Sequence, residues 1–445
     1  MHNSIASLIN TIKSCIIIKD ENITIVDNNI LLRNGIDTLV YTGVFSTNED
    51  TKLYARNIIR KLANSLGIVS SSIYPLYKAI GEGLISQTFT VPAFNIRALT
   101  YDTARIIFRL TQKYKLGPYV FEIARSEIEY TDQEPDEYTV VILAAGIKEE
   151  YRGPVFIQGD HYQLSSRRFK ENNNEEIDKI KSLIDTSIQA GFLNIDIDAS
   201  TLVDLEKSSQ NEQQRANYEV TSILTKYIRN QELKDIPISI GAEIGHIGGK
   251  NSTKDELIVF MENYRSSLPI GMPGISKISV QTGTSHGGIP LADGTMAKVN
   301  IDFSALAGTG SVARDKYRLA GVVQHGASTL PNELFDHFPI NKTLEIHLAT
   351  GFQNIVYDTM PNELREEMYA WIEKEVKKEW EDGWTKEQFI YKTRKKAIGP
   401  FKKTLWEISN NDKQPIIAKL EQQLTFLFEK LQINNTKDIV QKYVK

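Results

Sequence analysis

The sequence predicts an α/β protein built on a closed (β/α)8 TIM barrel. Three observations predict it: eight short β-rich runs, amphipathic helical segments between them, and a span, residues 89–358, close to the ~250 residues such barrels use. The runs fall at 90–96, 118–124, 154–161, 192–198, 237–245, 275–283, 319–326 and 344–349. Helical periodicity separates them, as at 101–114 and 175–190. Thr253 and Glu256 have the spacing of a capping box that opens a further helix toward Arg265.

The two ends read differently. Residues 1–88 form an N-terminal extension, with helix-like stretches and a β-like patch at 23–32. Residues 359–445 form a helical, charged C-terminal extension in which Trp371, Trp380, Trp384 and Trp406 serve as docking anchors. This leaves residues 89–358 as the catalytic domain.

Composition narrows the function. Of 445 residues, 41% are hydrophobic and 24% charged, which is ordinary globular usage and rules out wholesale disorder. A net charge of −4 with both signs interspersed gives no reason to bind nucleic acid or an anionic membrane, so a small molecule is the expected partner. A single cysteine, Cys15, excludes an intrachain disulfide or a Cys-rich zinc module and fits a reducing cytoplasm. The start of the chain lacks a basic leader, and apolar stretches such as 140–147 fall short of the ~18 residues that read as a membrane span.

In a barrel the chemistry gathers at the C-terminal ends of the strands. Only seven histidines occur in the chain, yet His161 ends the third run, His286 follows the sixth and His325 ends the seventh. Three imidazoles on loop ends, with Glu243 from the fifth run, supply the ligands of an open catalytic zinc site. Gly287, Gly288, Gly326 and Ser328 suggest an anion cradle, because backbone N–H groups reach a phosphate best without a Cβ in the way. Loops after strands seven and eight are the usual phosphate position in barrels.

These elements resemble the class II, metal-dependent ketose-bisphosphate aldolases. The similar segments, in order, are Val91-Pro92-Ala93-Phe94-Asn95, Gly159-Asp160-His161, Ile197-Asp198-Ala199-Ser200, Glu243-Ile244-Gly245-His246, Gly283-Thr284-Ser285-His286-Gly287 and His325-Gly326-Ala327-Ser328. They cover the barrel and not the extensions. The resemblance implies that His161, His286 and His325 bind a divalent metal, zinc or another, with Glu243 as an additional or alternative ligand. It implies Asp160 as the acid/base group and phosphate binding at Gly287, Gly326 and Ser328. Asn95 and Asp198 match polar positions of the family's substrate cavity. The chemistry is coherent: breaking a C–C bond beside a ketone leaves a carbanion that a Lewis acid stabilises, while a carboxylate takes the proton of the hydroxyl on the departing aldehyde. Asp160 could instead simply orient His161.

The sequence also departs from the family. Lys250-Asn251-Ser252 stand where acidic residues usually handle the proton of the ketone fragment, and neither Asp255 nor Glu256, at a helix start, replaces them. Glu345 stands where Asn is usual; a carboxylate would repel phosphate there, so the loop turns differently or the substrate end is no phosphate. His347 reads as a packed strand histidine or an added ligand, and His246 as a loop hydrogen-bonder. Arg125, after the second run, could grip a second phosphate or pair with a nearby Glu; Arg97 is similar. Lys277, the lysine placed for Schiff-base chemistry, could equally point outward. The basic run from Lys392 to Lys403 reads as a solvated face.

The expected activity is zinc-dependent cleavage or condensation of a ketose bisphosphate, foremost fructose 1,6-bisphosphate, to dihydroxyacetone phosphate and an aldehyde. The alternatives are a noncatalytic subunit of the tagatose-bisphosphate-aldolase type, or another metal-dependent lyase or isomerase on a sugar phosphate or sugar acid. The two extensions suit a homo-oligomer, a dimer or larger.

Overall fold

The computed structural model describes residues 2–19, 22–232, 236–245, 250–284 and 301–444. Its centre is a closed parallel barrel of β4 (Val91–Asn95), β5 (Val120–Ala124), β6 (Gly153–Gln163), β7 (Asn194–Asp198), β8 (Ser239–Glu243), β9 (Lys277–Val280), β10 (Val322–Gln324) and β11 (Glu345–Leu348). Consecutive strands pair in parallel, and β11 pairs back onto β4 with Glu345 opposite Val91, which closes the cylinder. All eight strands lie within the eight β-rich runs or, for β6, extend one of them at both ends. This is the (β/α)8 barrel.

The helices between the strands follow their apolar stripes. Thr100–Tyr114 and Asn173–Ala190 occupy the predicted segments. Lys254–Ser266 opens on the capping box: the Thr253 side chain accepts from the Glu256 N–H at 3.2 Å, and Glu256 accepts from the Thr253 N–H at 2.8 Å. The apolar stretch at 140–147 lies in helix Pro135–Lys148, which is buried along most of its length. It is apolar all round because barrel and N-terminal helices cover it from both sides.

The N-terminal region differs in one respect from its sequence pattern. The β character at 23–32 is confined to β2 (Asn22–Ile25), paired antiparallel with β1 (Ile16–Lys19), and residues 28–35 are helical. Asp27 caps that turn by accepting from the Ile30 N–H at 2.9 Å, which outweighs the β-branched composition. A further strand, β3 (Ile68–Ser71), joins the N-terminal part of β6 outside the closed ring. Helix Tyr74–Gly81 then lies against the entry to β10, where Gly81 abuts the Arg318 backbone too closely for any side chain.

The C-terminal segment wraps the barrel. Helix Asn410–Lys430 packs on Thr100–Tyr114, and Phe428 meets Phe94 with ring centroids 5.8 Å apart. Trp406 stacks on Tyr101 at 5.7 Å and 9° and presents its edge to Phe45 at 5.4 Å, so one indole joins barrel helix, N-terminal segment and C-terminal segment. Trp380 stacks on Phe389 and Trp371 meets Phe401, both within the C-terminal segment. No helix among the described residues is long and apolar enough to cross a membrane.

Candidate active site

The site begins with an irregularity in β6. The register against β7 shifts between Gly159 and Tyr162, and His161 adopts φ 41°, a left-handed conformation uncommon for a side-chain-bearing residue. Gly159 permits the turn, because the Tyr162 ring folds over it into space a Cβ would fill. Such a bulge re-aims side chains at a strand end, and here it presents Asp160 and His161 to the mouth of the barrel.

Around His161 the strand ends converge. Its Nδ1 lies 3.0 Å from Asp198 Oδ2 on β7 and 3.2 Å from Glu243 Oε2 on β8, and its Nε2 lies 3.9 Å from Asp160 Oδ1. Its ring centroid is 4.1 Å from that of His325, which follows β10 and whose Nε2 lies 3.1 Å from Ser279 Oγ on β9. Burial disfavours charge throughout this group, but the carboxylates of Asp160, Glu243 and Asp198 outweigh it and raise His161 well above an ordinary histidine. Asp198 is likewise buried, yet His161, Ser200 and Gln163 hold it down at about 2. Burial and then Asp198 push Glu243 up to about 8.

The donor atoms of Asp160, His161 and His325 lie within 4.8 Å of one another, as do those of His161, Asp198 and Glu243. Two imidazoles with neighbouring carboxylates form a donor set suited to zinc or another first-row divalent ion. His286, Gly287, Gly288 and His246 lie outside the described residues. Gly326 has φ 70° and starts the short turn Ala327–Thr329, and Gly351 approaches the Ser328 carbonyl oxygen so closely that an added Cβ would stand 2.5 Å from it. Asn95 ends β4, opposite Glu122 on β5, with its Oδ1 buried and without a hydrogen-bond partner among the described residues.

The structure takes Arg125 elsewhere. Its guanidinium donates to the Gln163 carbonyl at 2.6 Å and to Glu176 at 2.8 Å, and Glu176 also accepts from Arg168 and the Ser165 N–H. Arg97 pairs with Glu127 at 2.7 Å and donates to Gln353 at 2.9 Å.

Beneath the mouth lies a second polar layer, largely unread in the sequence. Lys277 is 1% exposed and stands inside the barrel rather than on its surface: its ammonium is 2.9 Å from Asp196, 2.7 Å from Gln158 Oε1, and bonded to Glu345. Burial lowers its proton affinity, but the two carboxylates raise it further, so it is held charged and is no Schiff-base nucleophile. Glu345 sits at the start of β11, fully buried, and accepts from the Tyr77 hydroxyl and from Lys277; it therefore lies in the barrel interior, not on the loop beside a phosphate. His347 touches Glu345 through Nε2 at 2.7 Å, and through Nδ1 touches Asp160 at 3.0 Å and Glu122 at 3.2 Å. It is a packed strand histidine that contacts the site.

A signal for this layer existed. Residues two positions apart share a face of a strand, and stepping back two from Asp160, Asp198, Ser279 and His347 gives Gln158, Asp196, Lys277 and Glu345.

A closed barrel with an imidazole–carboxylate cluster at its C-terminal mouth defines a class: barrel proteins with a metal-type site at the strand ends. The sequence profile of the class II fructose-bisphosphate aldolases matches residues 77–425, most of the chain. The chain belongs to that family. Among curated proteins none matches it in sequence. Among solved structures it is similar to the fructuronate-tagaturonate epimerase UxaE of Cohnella laeviribosi, at 10% identity and a TM-score of 0.57, covering 85% of this chain and 86% of that one. It is similar also to a probable tagatose 6-phosphate kinase of Sinorhizobium meliloti, at 13% identity and a TM-score of 0.52, covering 80% and 90%. A third is the fructose-bisphosphate aldolase of Campylobacter jejuni, at 14% identity and a TM-score of 0.48, covering 83% and 97%. At these identities the likeness concerns the fold.

Proposed function

We propose that the protein is a metal-dependent lyase that cleaves and forms a C–C bond beside a ketone, with a ketose bisphosphate, foremost fructose 1,6-bisphosphate, as substrate. The observation that carries the proposal is the convergence of Asp160, His161 and His325 at the barrel mouth. His161 and His325 would hold the metal, with His286 by family resemblance and Glu243 within reach. When bound, the metal supplies Lewis acidity toward the ketone and its neighbouring hydroxyl.

The chain's own residues do the rest. Asp198 and Glu243 fix the His161 ring through Nδ1. Asp160 accepts the proton of the hydroxyl on the departing aldehyde as the C–C bond breaks, and the bonding electrons stay with the carbon next to the ketone. In condensation Asp160 returns that proton. His347 orients Asp160 through Oδ1. Gly326 and Ser328 offer backbone to a phosphate.

A second reading, a metal-dependent lyase or isomerase on a sugar acid, is favoured by Lys250, Asn251 and Ser252 standing where the family usually carries acids. The test is cleavage of a panel of ketose phosphates and sugar acids before and after chelation, with metal counted in the same samples. Chelator-sensitive cleavage of a ketose bisphosphate is expected. Conversion of a sugar acid alone would establish the second reading, and a metal-free protein without turnover would indicate a noncatalytic subunit.

A further inference from the structure

The basic run from Lys392 to Lys403 is not one solvated face. Lys396 pairs with Glu379, Lys402 with Asp132 and Glu137, and Arg394 with Asp358, while Lys392 lies exposed over the Trp384 ring at 3.8 Å. Lys395 differs from all of them. It is half-buried, and its ammonium stands over the Tyr130 ring at 5.5 Å with no ion pair or side-chain hydrogen bond among the described residues. Burial lowers its proton affinity and the Arg97 guanidinium lowers it further. An aromatic face offsets only part of that cost. The carboxylates whose fields reach Lys395 are engaged elsewhere: Glu127 with Arg97 and the Ala124 N–H, Glu379 with Lys396.

The position of this cation gives it a use. Lys395 lines a groove of about 690 Å³ between helix Arg125–Thr131 and the turn Arg394–Ala397. Ser126 lines it too, exposed and with its hydroxyl unbonded among the described residues. Ser126 lies just past Ala124, the register partner of Asp160 across β5 and β6. Arg97, on the loop after β4, stands in the fields of both Asp160 and Lys395. The groove thus begins beside the strand ends where Asp160 stands. Glu129 and Asp132 also line it, but both are exposed, where water screens them, and Asp132 is paired with Lys402. A ketose bisphosphate carries two phosphates, and the turn after Gly326 offers backbone to one. That turn follows β10, which β11 and β4 separate from β5. Arg125 and Arg97 are held by Glu176 and Glu127, so the second phosphate must find another cation. We propose that Lys395, with Ser126, holds that phosphate at the aldehyde end of the substrate, the C-terminal segment thereby supplying a specificity-determining cation to the barrel mouth. Lysine meets a phosphate as a point charge with three donors. The aldehyde fragment lies on this side because Asp160 takes the proton of its hydroxyl. The proposal deepens the lyase reading and rests on it for the identity of the substrate.

The test has two arms. In the first, the full-length wild type is labelled with N-hydroxysuccinimidyl acetate, and acetylation of each lysine is followed by mass spectrometry. Inorganic phosphate should slow the labelling of Lys395 several-fold against sodium chloride of equal ionic strength, and should leave Lys392 unaffected. In the second, kcat/KM is compared for fructose 1,6-bisphosphate and for fructose 1-phosphate, which lacks the second phosphate. Lys395→Met should lower the first about tenfold more than the second, the worth of one hydrogen bond to a charged group. Lys395→Arg should recover most of that ratio, and a thermal melt verifies that both variants fold. Labelling of Lys395 that phosphate slows no more than that of Lys392 overturns the proposal, as does an unchanged ratio in Lys395→Met. Protection of Lys395 without cleavage of any ketose phosphate would sink the lyase reading and leave the anion subsite standing. Cleavage of fructose 1,6-bisphosphate with neither protection nor a changed ratio would do the reverse.

Discussion

Replacing Lys277 with methionine keeps the stem and removes the ammonium that Asp196 and Glu345 share inside the barrel. Removing one partner of a buried ion pair costs about 3–5 kcal/mol, because the other charge is left buried and unpaired. With an unfolding entropy of about 2.1 cal/mol/K per residue, a barrel of about 270 residues loses about 7 °C in Tm for a loss of about 4 kcal/mol. The pH dependence is diagnostic. In the wild type burial pushes Glu345 up, but Lys277 and His347 outweigh it and hold its carboxyl below the usual range. Its contribution is therefore present above the unfolded value of about 4.3 and is lost only as pH falls below it. Without Lys277 the folded-state value rises above the unfolded one, so the variant loses stability as pH rises. The gap between the two proteins should be widest near pH 8 and narrow toward pH 5 in urea or thermal melts. The double variant Lys277→Met/Glu345→Gln should cost less than the sum of the singles. A gap under about 1 kcal/mol, or one that ignores pH, would refute the charge arrangement.

Other perturbations probe the mouth and the extensions. Asp160→Asn should lower kcat by about 10²–10⁴, the usual worth of a positioned acid/base group, while metal at the His161/His325 site remains; steady-state assays with metal counts check this. Gly351→Ala places a Cβ 2.5 Å from the Ser328 carbonyl oxygen and should displace that turn. An increase of about tenfold in KM, about 1.4 kcal/mol, is expected with kcat nearly unchanged. Trp406→Ala removes the ring shared by Tyr101 and Phe45 and should cost about 2–3 kcal/mol, less than a fully buried aromatic because the indole is only half-buried. Limited proteolysis should then release the C-terminal segment faster.

The barrel was legible because its strands alternate with helices whose caps and apolar stripes are local features, as at Thr253 and Glu256. The mouth was legible in part because rare residues end the strands there: Asp160, His161, Asp198, Glu243 and His325 do converge. Arg125 shows the limit, since its neighbours in the chain do not reveal that Glu176, fifty-one positions away, receives its guanidinium. Lys277, Glu345 and Asp196 explain one another only through pairing across the cylinder. Taken singly, each is an ionisable residue in an apolar strand: Lys277 could equally point outward, Glu345 reads as a loop residue, and Asp196 carries no local signal. The strand at Ile68–Ser71 likewise depends on an edge offered by the extended β6, a tertiary fact without a local signature.

The hydroxyl of Tyr77 meets a carboxylate 268 positions later in the chain. The floor of the cylinder is thus made early in synthesis and the last stave late, so this contact cannot form until nearly the whole barrel has left the ribosome. During that interval Asp196 and Lys277 lack their final companion. A nascent chain stalled before β11 would leave the Lys277 ammonium with Asp196 alone and the Tyr77 hydroxyl without Glu345.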